Sequence, residues 1–471
     1  MKPLDYPVPS RRALLGGIAA IGAASAALHG TRAATTSVDV VIVGAGAAGI
    51  GAAIKLKAAG LSYVILEAAP RVGGRAFTDT TTFRGDDGKP VPFDIGCAWI
   101  HRNQPDNQMG HWARQLKFEI QRHDLDVNVL YYGRTPYSPA MVELEHKAEE
   151  EIEGRFKEAV AQGRDVAGST LIDDWSSPTD AAATYMGPMD MAADFDAMSC
   201  ADYDAMPDYN PNYLVRAGYG SIVKMIALTS DLNITLNTPV TAVDTSGSGV
   251  RVTTARGTID AKAAIVTVST GVLGSGAIRF PDPLPTETQA AIADVPMGCF
   301  LKIPLEIPGV NHYVRGIKPY DNVMMENPGL DDIYFLAWPW DLDLLVGFVG
   351  GEFGKELAKK GQAVAIDFAK QRVGDIFGSD MRKRVRRGLL TPWMTNPLTQ
   401  GSYSAAKPGK FASRAVLRRP VKEKLYFAGE AVAPNIPGQT AVPNGMFATC
   451  EGAYLAGQAA VAKIAATVKP G

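Results

Sequence analysis

The sequence predicts an α/β fold, because a strand, a glycine-rich turn, a helix and a second strand follow one another near the start of the chain. Residues 38–43 are a β-branched run of strand length, and residues 50–59 form an Ala-rich stretch of helical type. A second apolar strand, residues 63–66, ends at Glu67. Together these segments form the βαβ unit of a Rossmann domain, and that context makes the glycine pattern of residues 44–49 a strong signal.

The glycine pattern predicts a dinucleotide site. In Gly44-Ala-Gly46-Ala-Ala-Gly49, the first glycine allows a tight turn, the second lets the backbone approach a pyrophosphate, and the third permits close packing of the helix on the strand. The N-terminus of the following helix attracts the phosphate charge. Glu67 stands where an acidic residue accepts hydrogen bonds from the ribose hydroxyls.

The segment after Glu67 favours FAD over NAD as the dinucleotide. Arg71-Val-Gly73-Gly74-Arg75 is similar to the second glycine motif of glutathione-reductase-type FAD folds, and NAD dehydrogenases lack this continuation. The two glycines let the backbone pass close to the phosphates, and Arg75 offers a charge-assisted contact. We therefore expect a glutathione-reductase-type FAD-binding Rossmann domain.

The composition is that of an ordinary enzyme of 471 residues, with 46% hydrophobic and 20% charged residues. The formal net charge of −2 gives no charge excess that would indicate nucleic acid or a membrane surface as a partner. The four cysteines are far apart and lack metal-site or CxxC spacing, so we expect no metal. Buried free thiols are favoured over two disulfides for these cysteines, which are Cys97, Cys200, Cys299 and Cys450.

The N-terminus resembles a twin-arginine export signal. Arg11 and Arg12 precede an Ala- and Gly-rich apolar run that ends near Leu28, and small residues follow. The run is too short and too rich in Gly and Ala to span a membrane well. We expect the Tat translocase to export the folded protein to the periplasm, with residues 1–34 removed and no stable membrane insertion.

The order of motifs over residues 37–465 resembles the flavin-containing amine oxidases of the monoamine and polyamine oxidase type. Residues 94–101, Asp-Ile-Gly-Cys-Ala-Trp-Ile-His, resemble the segment that passes the flavin ring, and the Trp-Ile-His ending is most similar to polyamine oxidases and their histone-demethylase relatives. Residues 425–431 and 449–457 are similar to the second flavin-binding turn and the final helix. The link between them, residues 434–447, is longer than usual and rich in Pro and Gly.

The resemblance implies that FAD is bound noncovalently. Monoamine oxidases link the flavin to a cysteine at the position of Ser402, and serine cannot form that thioether. The backbone of Val240 is expected to contact the adenine, and Glu430 is expected to lie toward the ribityl chain. The residues expected to bind FAD are Gly44, Gly46, Ala48, Gly49, Glu67, Ala68, Gly73, Gly74, Arg75, Trp99, Val240, Gly429, Glu430 and Thr449.

The resemblance also implies an active site. Lys302 lies among apolar residues on a strand-like run, where its charge needs a partner. The family places a lysine here, hydrogen-bonded through water to flavin N5, and a lysine that snorkels to solvent is the alternative. Tyr403 and Trp393 resemble residues that wall the substrate pocket, and an aromatic face favours a cationic ligand. Thr449 replaces a second cage tyrosine, so the pocket is expected to be wider.

Two polar residues are further candidates for the substrate pocket. His101 ends the segment that resembles the flavin-passing motif, and a structural imidazole is the alternative. Asp204 lies at the right distance before Gly218 to match a pocket carboxylate of animal polyamine oxidases, which binds a distal ammonium. Its local sequence is otherwise dissimilar, so a solvated loop acid is equally compatible. The pattern of residues 139–163 predicts a long charged helix, and we interpret its charged residues as a face exposed to solvent.

The predicted FAD domain comprises residues 37–100, 214–290 and 388–465, interwoven with a substrate domain of mixed sheet plus helices, residues 101–213 and 291–387. The resemblance implies hydride transfer from the carbon next to a primary or secondary amine, possibly a polyamine, to flavin N5. The product is an imine that water converts to an aldehyde, and O2 is reduced to H2O2. FAD carries the hard step, so no further catalytic constellation is required.

Other functions stay open at the level of sequence. An L-amino acid oxidase on the same fold needs an arginine for the substrate carboxylate, and none stands out. A flavin amine dehydrogenase would pass its electrons to a periplasmic acceptor instead of O2. His101 argues against a desaturase or protoporphyrinogen-type oxidase, and the presence of both Lys302 and Tyr403 argues against a non-catalytic FAD-binding module.

Overall fold

Two seven-stranded sheets organise the chain, and helices pack against both. The computed structural model describes residues 36–85, 88–102, 105–123, 129–325, 332–435 and 445–469. The predicted export signal lies outside these ranges, as does most of the predicted Pro- and Gly-rich link.

The strands are, in chain order, β1 (Thr36–Val43), β2 (Tyr63–Leu66), β3 (Thr78–Arg84), β4 (Pro90–Asp94), β5 (Trp99–Ile100), β6 (Ile120–Arg122), β7 (Leu130–Tyr132), β8 (Thr135–Pro136), β9 (Tyr213–Val215), β10 (Ile234–Thr235), β11 (Val240–Asp244), β12 (Val250–Thr254), β13 (Gly257–Val266), β14 (Phe300–Glu306), β15 (Asn322–Met324), β16 (Tyr334–Ala337), β17 (Leu344–Gly350), β18 (Arg387–Gly388) and β19 (Leu425–Phe427).

The α-helices are α1 (Ala47–Ala58), α2 (Gln108–Gln115), α3 (Pro139–Ala161), α4 (Ser177–Thr184), α5 (Cys200–Asp204), α6 (Tyr219–Thr229), α7 (Thr270–Gly274), α8 (Thr286–Asp294), α9 (Val310–Tyr313), α10 (Gly351–Lys360), α11 (Gln362–Phe377), α12 (Ser379–Arg384), α13 (Ser413–Leu417) and α14 (Cys450–Thr467). A π-helical turn (Tyr185–Met191) follows α4, and 3-10 turns occupy Gly168–Leu171, Pro339–Asp341 and Glu430–Val432. None of the helices in the described ranges has the length and apolar character needed to cross a membrane.

The first sheet contains the predicted Rossmann unit. Its strand order is β10-β2-β1-β13-β12-β11, with β19 pairing β13. Strand β1 runs parallel to both β2 and β13, and β19 also runs parallel to β13. Val41 and Ile42 of β1 are fully buried, as expected for a parallel strand that is covered on both faces. The predicted α/β class and the order of strand, turn, helix and strand are therefore confirmed.

Glycines let two helices pack closely beside this sheet. A side-chain carbon on Gly49 of α1 would lie 2.0 Å from the Gly44 carbonyl oxygen, so only glycine allows the helix to approach the turn. A side-chain carbon on Gly457 of α14 would lie 1.9 Å from the carbonyl oxygen of Ala48. Helix α14 therefore rests directly on α1, and the last helix of the chain packs over the first turn of the Rossmann unit.

The second sheet is mixed, with the order β18-β14-β17-β16-β15-β7-β8. Strands β14, β17 and β16 pair antiparallel, whereas β15 and β7 are parallel. Lys302 of β14 lies opposite Phe348 of β17 in this register. The sheet thus has the mixed character predicted for the substrate domain, while the domain boundaries themselves stay a prediction.

We predict that Gly457→Ala lowers the free energy of unfolding by about 1–3 kcal/mol, because the added methyl group overpacks the contact between α14 and α1. Gly154, on the exposed face of α3, has open space around it. Gly154→Ala is the matched control and is expected to raise the free energy of unfolding by about 0.5–1 kcal/mol. Urea denaturation followed by circular dichroism measures both. Equal behaviour of the two variants would contradict this account of the helix contact.

Candidate active site

A cavity of about 1240 Å³ lies between the carboxyl ends of the parallel strands of the first sheet and the face of the second sheet. Val43 and Leu66 mark the ends of β1 and β2, and Phe300, Tyr334 and Phe348 belong to the second sheet. Crevices at the carboxyl ends of parallel strands are where open α/β sheets bind their ligands. The cavity is larger than most pockets for one drug-sized ligand, so it has room for a dinucleotide and a substrate.

The glycine turn at one end of this cavity is held by Glu67. One carboxylate oxygen of Glu67 accepts a hydrogen bond from the Ala45 N–H at 2.6 Å, and the other accepts from the Ala69 N–H at 2.8 Å. Each oxygen keeps a lone pair for a further donor, as the predicted contact with ribose hydroxyls requires. The acid therefore fixes the turn and also lines the cavity.

The surroundings of Gly46 show whether the glycine turn has room for a dinucleotide. Its φ of −76° is open to any residue, so its conformation does not require glycine. A side-chain carbon at Gly46 would meet no protein atom closer than 3.9 Å, where Gly74 lies. The missing side chain therefore leaves room in the cavity rather than relieving a clash within the protein. This is what the close approach of a pyrophosphate to the backbone needs, and the residues present fit FAD.

Thirteen of the fourteen residues predicted to bind FAD line the cavity. Gly49 is the exception, because it does not line the cavity and instead lets α1 pack against Gly44, so its contact with the cofactor stays a prediction. The predicted residues that line the cavity are Gly44, Gly46, Ala48, Glu67, Ala68, Gly73, Gly74, Arg75, Trp99, Val240, Gly429, Glu430 and Thr449.

Arg75 is paired within the protein. Its Nη1 donates to a carboxylate oxygen of Glu430 and to the Ser402 carbonyl, both at 2.9 Å. Burial alone would raise the pKa of Glu430, but Arg75, Ser404 and Arg414 together lower it, so the carboxylate stays charged. The phosphate contact expected of Arg75 stays a prediction, and its pairing with Glu430 was not expected from the sequence.

Arg414 is a buried side chain that joins several segments through hydrogen bonds, and sequence reasoning did not identify it. The guanidinium is 1% exposed, and its five N–H donors make five hydrogen bonds. Two of these go to the Asp202 carboxylate at 2.6 and 2.8 Å, and the others go to Ser404 Oγ, the Ser404 carbonyl and the Ala431 carbonyl. Because Ser404 Oγ donates to Glu430 at 2.7 Å, one hydrogen-bonded network connects α5 to the turn after β19.

Lys302 is buried beside the segment that was predicted to pass the flavin. Its Nζ donates to the carbonyl oxygens of Asp94 at 2.9 Å and Gly96 at 2.5 Å, and it lies 5.4 Å from the centre of the Trp99 ring. The residue is 5% exposed, which excludes the snorkelling alternative. Burial lowers the pKa of Lys302 to about 8, although the nearby Asp94 opposes that shift. Two of its three donors are used within the described chain, and the side chain lines the cavity.

The Asp94 carboxylate lies at the N-terminus of α6. It accepts hydrogen bonds from the N–H groups of Tyr219 at 2.7 Å and Gly220 at 3.1 Å, and from Thr78 Oγ1 at 2.6 Å. Burial raises the pKa of Asp94 to about 6, with Lys302 and these donors opposing the rise. At neutral pH, Asp94 therefore supplies the negative charge that compensates the Lys302 ammonium.

The predicted aromatic wall is present and larger than expected. The Tyr403 hydroxyl donates to the Met189 carbonyl at 3.0 Å, and Trp393 Nε1 donates to the Ile95 carbonyl at 3.0 Å. Both rings line the cavity, together with seven aromatic residues that sequence reasoning missed. Three of the seven lie on strands that were recognisable only in part. The missed residues are Phe156, Tyr185, Tyr203, Tyr209, Phe300, Tyr334 and Phe348.

Thr449 and His101 line the cavity, with their polar atoms engaged by the protein. Thr449 Oγ1 donates to the Met446 carbonyl at 2.7 Å and accepts from the Gly452 N–H at 2.9 Å, so it caps α14. His101 Nδ1 lies 2.6 Å from Asn212 Oδ1 and its ring contacts Tyr209. The structure therefore gives Thr449 a capping role and leaves the catalytic role of His101 a prediction.

An acidic wall lines another part of the cavity. We define it as Asp190, Asp204, Glu149 and Glu153. Glu149 and Glu153 lie one turn apart on α3. Because both line the cavity, the interpretation of that helix's charges as a purely solvated face is corrected. A charged stripe has the same helical spacing whether it faces solvent or a cavity, so the sequence could not distinguish the two.

Asp190 is the member of the acidic wall with the fewest partners. It makes no hydrogen bond or ion pair with any residue that the structure describes. Burial raises its pKa well above the usual range, and the charges of Glu149 and Glu153 add to the rise. For Asp204, burial also raises the pKa, while Lys157 opposes it. The protein itself therefore disfavours full ionisation of the wall, and a cation in the cavity would favour it.

The profile of the family described as "Flavin containing amine oxidoreductase" matches residues 166–465, and that of an "NAD(P)-binding Rossmann-like domain" matches residues 42–116. The chain belongs to the flavin-containing amine oxidase family. It is thus an FAD-dependent amine oxidase. The Ser402 hydroxyl donates to the Phe300 carbonyl and accepts from the Phe300 N–H, and this residue has no sulfur for a thioether, in keeping with noncovalent FAD.

Several relatives of this amine oxidase are polyamine oxidases by name. "Polyamine oxidase 4" of Oryza sativa subsp. japonica is 26% identical over 450 residues, covering 90% of this chain and 87% of the relative. "Polyamine oxidase 2" of Arabidopsis thaliana is 28% identical over 443 residues, covering 87% and 86%. "Lysine-specific histone demethylase 2" of Homo sapiens is 25% identical, and the match covers 91% of this chain and 53% of that protein.

Solved structures share the fold of the amine oxidase. Putrescine oxidase with bound putrescine superposes with a TM-score of 0.73 at 20% identity, covering 92% of this chain and all of that chain. Cyclohexylamine oxidase from Brevibacterium oxydans superposes with a TM-score of 0.71 at 21% identity, covering 91% and 99%. At these identities the superpositions show that the overall fold is shared.

Proposed function

We propose that the amine oxidase acts on diamines or polyamines, which carry a second positive charge away from the nitrogen that reacts. The observation that carries this proposal is the Asp190 carboxylate, which is unpaired among the described residues. It lies with the rest of the acidic wall in the same cavity as Lys302 and Tyr403. The desolvation of Asp190 and its two acidic neighbours disfavour its charged form, and a cationic ligand in the cavity would favour it.

The acidic wall is close to the aromatic wall. Met189, whose carbonyl accepts the Tyr403 hydroxyl, immediately precedes Asp190 in the π-helical turn. The charge of Asp190 also acts on Tyr334 and Tyr403, whose pKa values are raised by burial first and by Asp190 next. An extended cation can therefore place one nitrogen among the aromatic rings and another at the carboxylates without leaving the cavity.

The names of known proteins support the same substrate class. Two plant relatives are polyamine oxidases by name, and one structure with the same fold holds putrescine, a diamine. A monoamine substrate would leave the acidic wall uncompensated. We therefore favour a polyamine over a monoamine or an amino acid, whose carboxylate the acidic wall would repel.

The chain's own residues have separate tasks in this proposal. FAD, when bound, supplies the two-electron acceptor for oxidation of the amine. The aromatic rings exclude water and orient the substrate, and the acidic wall binds its distal ammonium. Lys302 keeps a positive charge inside the cavity below about pH 8, held in place by the carbonyls of Asp94 and Gly96. Positive charge at that point favours the reduction of O2 to H2O2, since negative charge develops during that step.

We also propose that the enzyme works in the periplasm after export by the Tat translocase. The proposal rests on Arg11 and Arg12, which precede a short apolar run in the sequence. Export in the folded state suits a protein that acquires FAD before it crosses the membrane.

For the acidic wall, we predict that Asp190→Asn raises KM for putrescine and spermidine about 10- to 100-fold, because a charge-assisted contact of about 1.5–3 kcal/mol is lost. KM for benzylamine, which has no distal charge, is expected to stay unchanged. Asp204→Asn is expected to act in the same direction. Glu150→Gln, an exposed acid on α3, is the matched control. Steady-state kinetics measure KM for the three variants and the wild type, and an equal rise in KM for benzylamine would contradict the proposed distal site.

For Lys302, we predict that Lys302→Met keeps its FAD but is reoxidised by O2 about 100-fold more slowly, because the positive charge is lost. In the wild type, the reoxidation rate should fall as pH rises through about 8, where Lys302 loses its proton. Rapid-mixing kinetics of the reductive and oxidative half-reactions measure this, with the exposed Lys224→Met as control. If only the reduction of FAD by the amine slows, Lys302 acts on the substrate and does not favour O2 as the electron acceptor.

For export, we predict that Arg11→Lys combined with Arg12→Lys retains the protein in the cytoplasm, because the twin-arginine receptor reads that pair. Activity in periplasmic and cytoplasmic fractions measures the distribution. Lys2→Arg, outside the pair, is a control that should leave export unchanged. Undiminished periplasmic activity of the double variant would mean that another route exports the protein.

A further inference from the structure

Two of the four cysteines lie together on the wall of the cavity. Cys97 and Cys450 both line it, and both pack in the apolar cluster that contains Ala47 and Tyr219. The two thiols are close enough for each to shift the pKa of the other as a side-chain partner. They are far apart in sequence, so only the fold brings them together.

Each of these cysteines belongs to an element of the active site. Cys97 follows Gly96, whose carbonyl accepts from Lys302, and the Cys97 N–H donates to the Arg75 carbonyl at 3.2 Å. Cys450 is the first residue of α14, directly after the capping Thr449. Cys97 therefore follows the carbonyl that accepts from Lys302 and is bonded to the Arg75 backbone, while Cys450 begins a helix, whose N-terminus is a source of positive potential.

This environment favours the Cys97 thiolate. The hydrogen bond from Cys450 lowers the pKa of Cys97 against the effect of burial, and the charges of Arg75 and Lys302 lower it further. The other two cysteines behave in the opposite way. Burial raises the pKa of Cys200, and it raises the pKa of Cys299 to about 12. A thiolate is the nucleophile in cysteine oxidation, so Cys97 is chemically distinct from Cys200 and Cys299.

We propose that Cys97 and Cys450 form an oxidation site that closes into a disulfide when the enzyme meets peroxide. In the first step, the Cys97 thiolate attacks H2O2, the O–O bond breaks, and a sulfenic acid and hydroxide form. In the second step, the Cys450 sulfur attacks the Cys97 sulfur and gives up its proton, and the sulfenic oxygen leaves as water. The sum oxidises two thiols to one disulfide and reduces one peroxide to two molecules of water.

The site lies where peroxide concentration is highest if the proposed oxidase reaction occurs. The resolving thiol removes the sulfenic acid before a second peroxide can convert it irreversibly to a sulfinic acid. The disulfide would join the segment that anchors Lys302 to the first turn of α14. Oxidation thereby connects two walls of the cavity covalently.

The test uses the FAD-loaded enzyme, first reduced and freed of reductant, then treated with a slight excess of H2O2. After denaturation, free thiols are counted by reaction with an aromatic disulfide reagent. We expect the count to fall from the four cysteines of the chain to two. Peptide mapping without reductant should give one new cross-linked peptide that contains both Cys97 and Cys450 and has lost two hydrogen atoms.

Two variants make the assignment specific. In Cys450→Ser, the resolving thiol is absent, so Cys97 should accumulate as a sulfenic acid that dimedone captures. Cys200→Ser is the matched control, because its pKa marks that thiol as inert, and it should still lose two thiols. The proposal would be overturned if the wild-type protein keeps all four thiols, or if the disulfide that forms excludes Cys97. Both of these outcomes are measured on protein without substitutions.

A second arm replaces added peroxide by turnover of an amine in air. Added H2O2 tests the cysteine pair independently of whether the enzyme makes peroxide. A disulfide that forms with added peroxide but not during turnover supports the oxidation site and counts against O2 as the acceptor. The failure of the site and the failure of the proposed function are thus distinguishable.

Discussion

The buried guanidinium of Arg414 determines how the two halves of the cavity face each other. It binds Asp202 of α5 on one side and Ser404, which in turn binds Glu430, on the other. A buried ion pair is stabilising only when its remaining hydrogen bonds are also made, and here all five donors are used. Removing one partner would leave an uncompensated buried charge, at a cost of about 3–5 kcal/mol. The alignment of substrate and cofactor walls therefore depends on one side chain.

The position of Tyr403 illustrates this dependence. Its neighbours are both fixed, Ser402 by two hydrogen bonds to the Phe300 backbone and Ser404 by Glu430 and Arg414. The Tyr403 carbonyl also accepts from the Gly298 N–H at 2.7 Å. An aromatic ring that orients a substrate must keep a fixed position. Here the Phe300 backbone holds the residue before it, and the buried charged groups Glu430 and Arg414 hold the residue after it. The precision of the aromatic wall comes from polar contacts behind it.

The parts of the molecule that follow local rules were predictable from the sequence. The strand, glycine turn and helix from β1 to β2 follow from side-chain periodicity and glycine spacing, and Lys302 was marked by a charge on an apolar strand. Asp190 carried no such mark, because a single acid after a proline and a glycine is common in loops. The pairing of Arg414 with Asp202 and the contact between Cys97 and Cys450 depend on segments hundreds of residues apart, which no local pattern encodes.

The pairing of β1 with distant strands also constrains how the chain can fold during synthesis. Its partner β13 is made more than two hundred residues later, and β19, which completes that side of the sheet, is nearly the last strand of the chain. Parallel pairs with such long sequence separation form slowly, because a large loop must close before any contact stabilises it. During synthesis β1 can pair early with β2, but its other edge lacks β13 until much later. The first sheet can therefore be completed only after most of the chain has emerged.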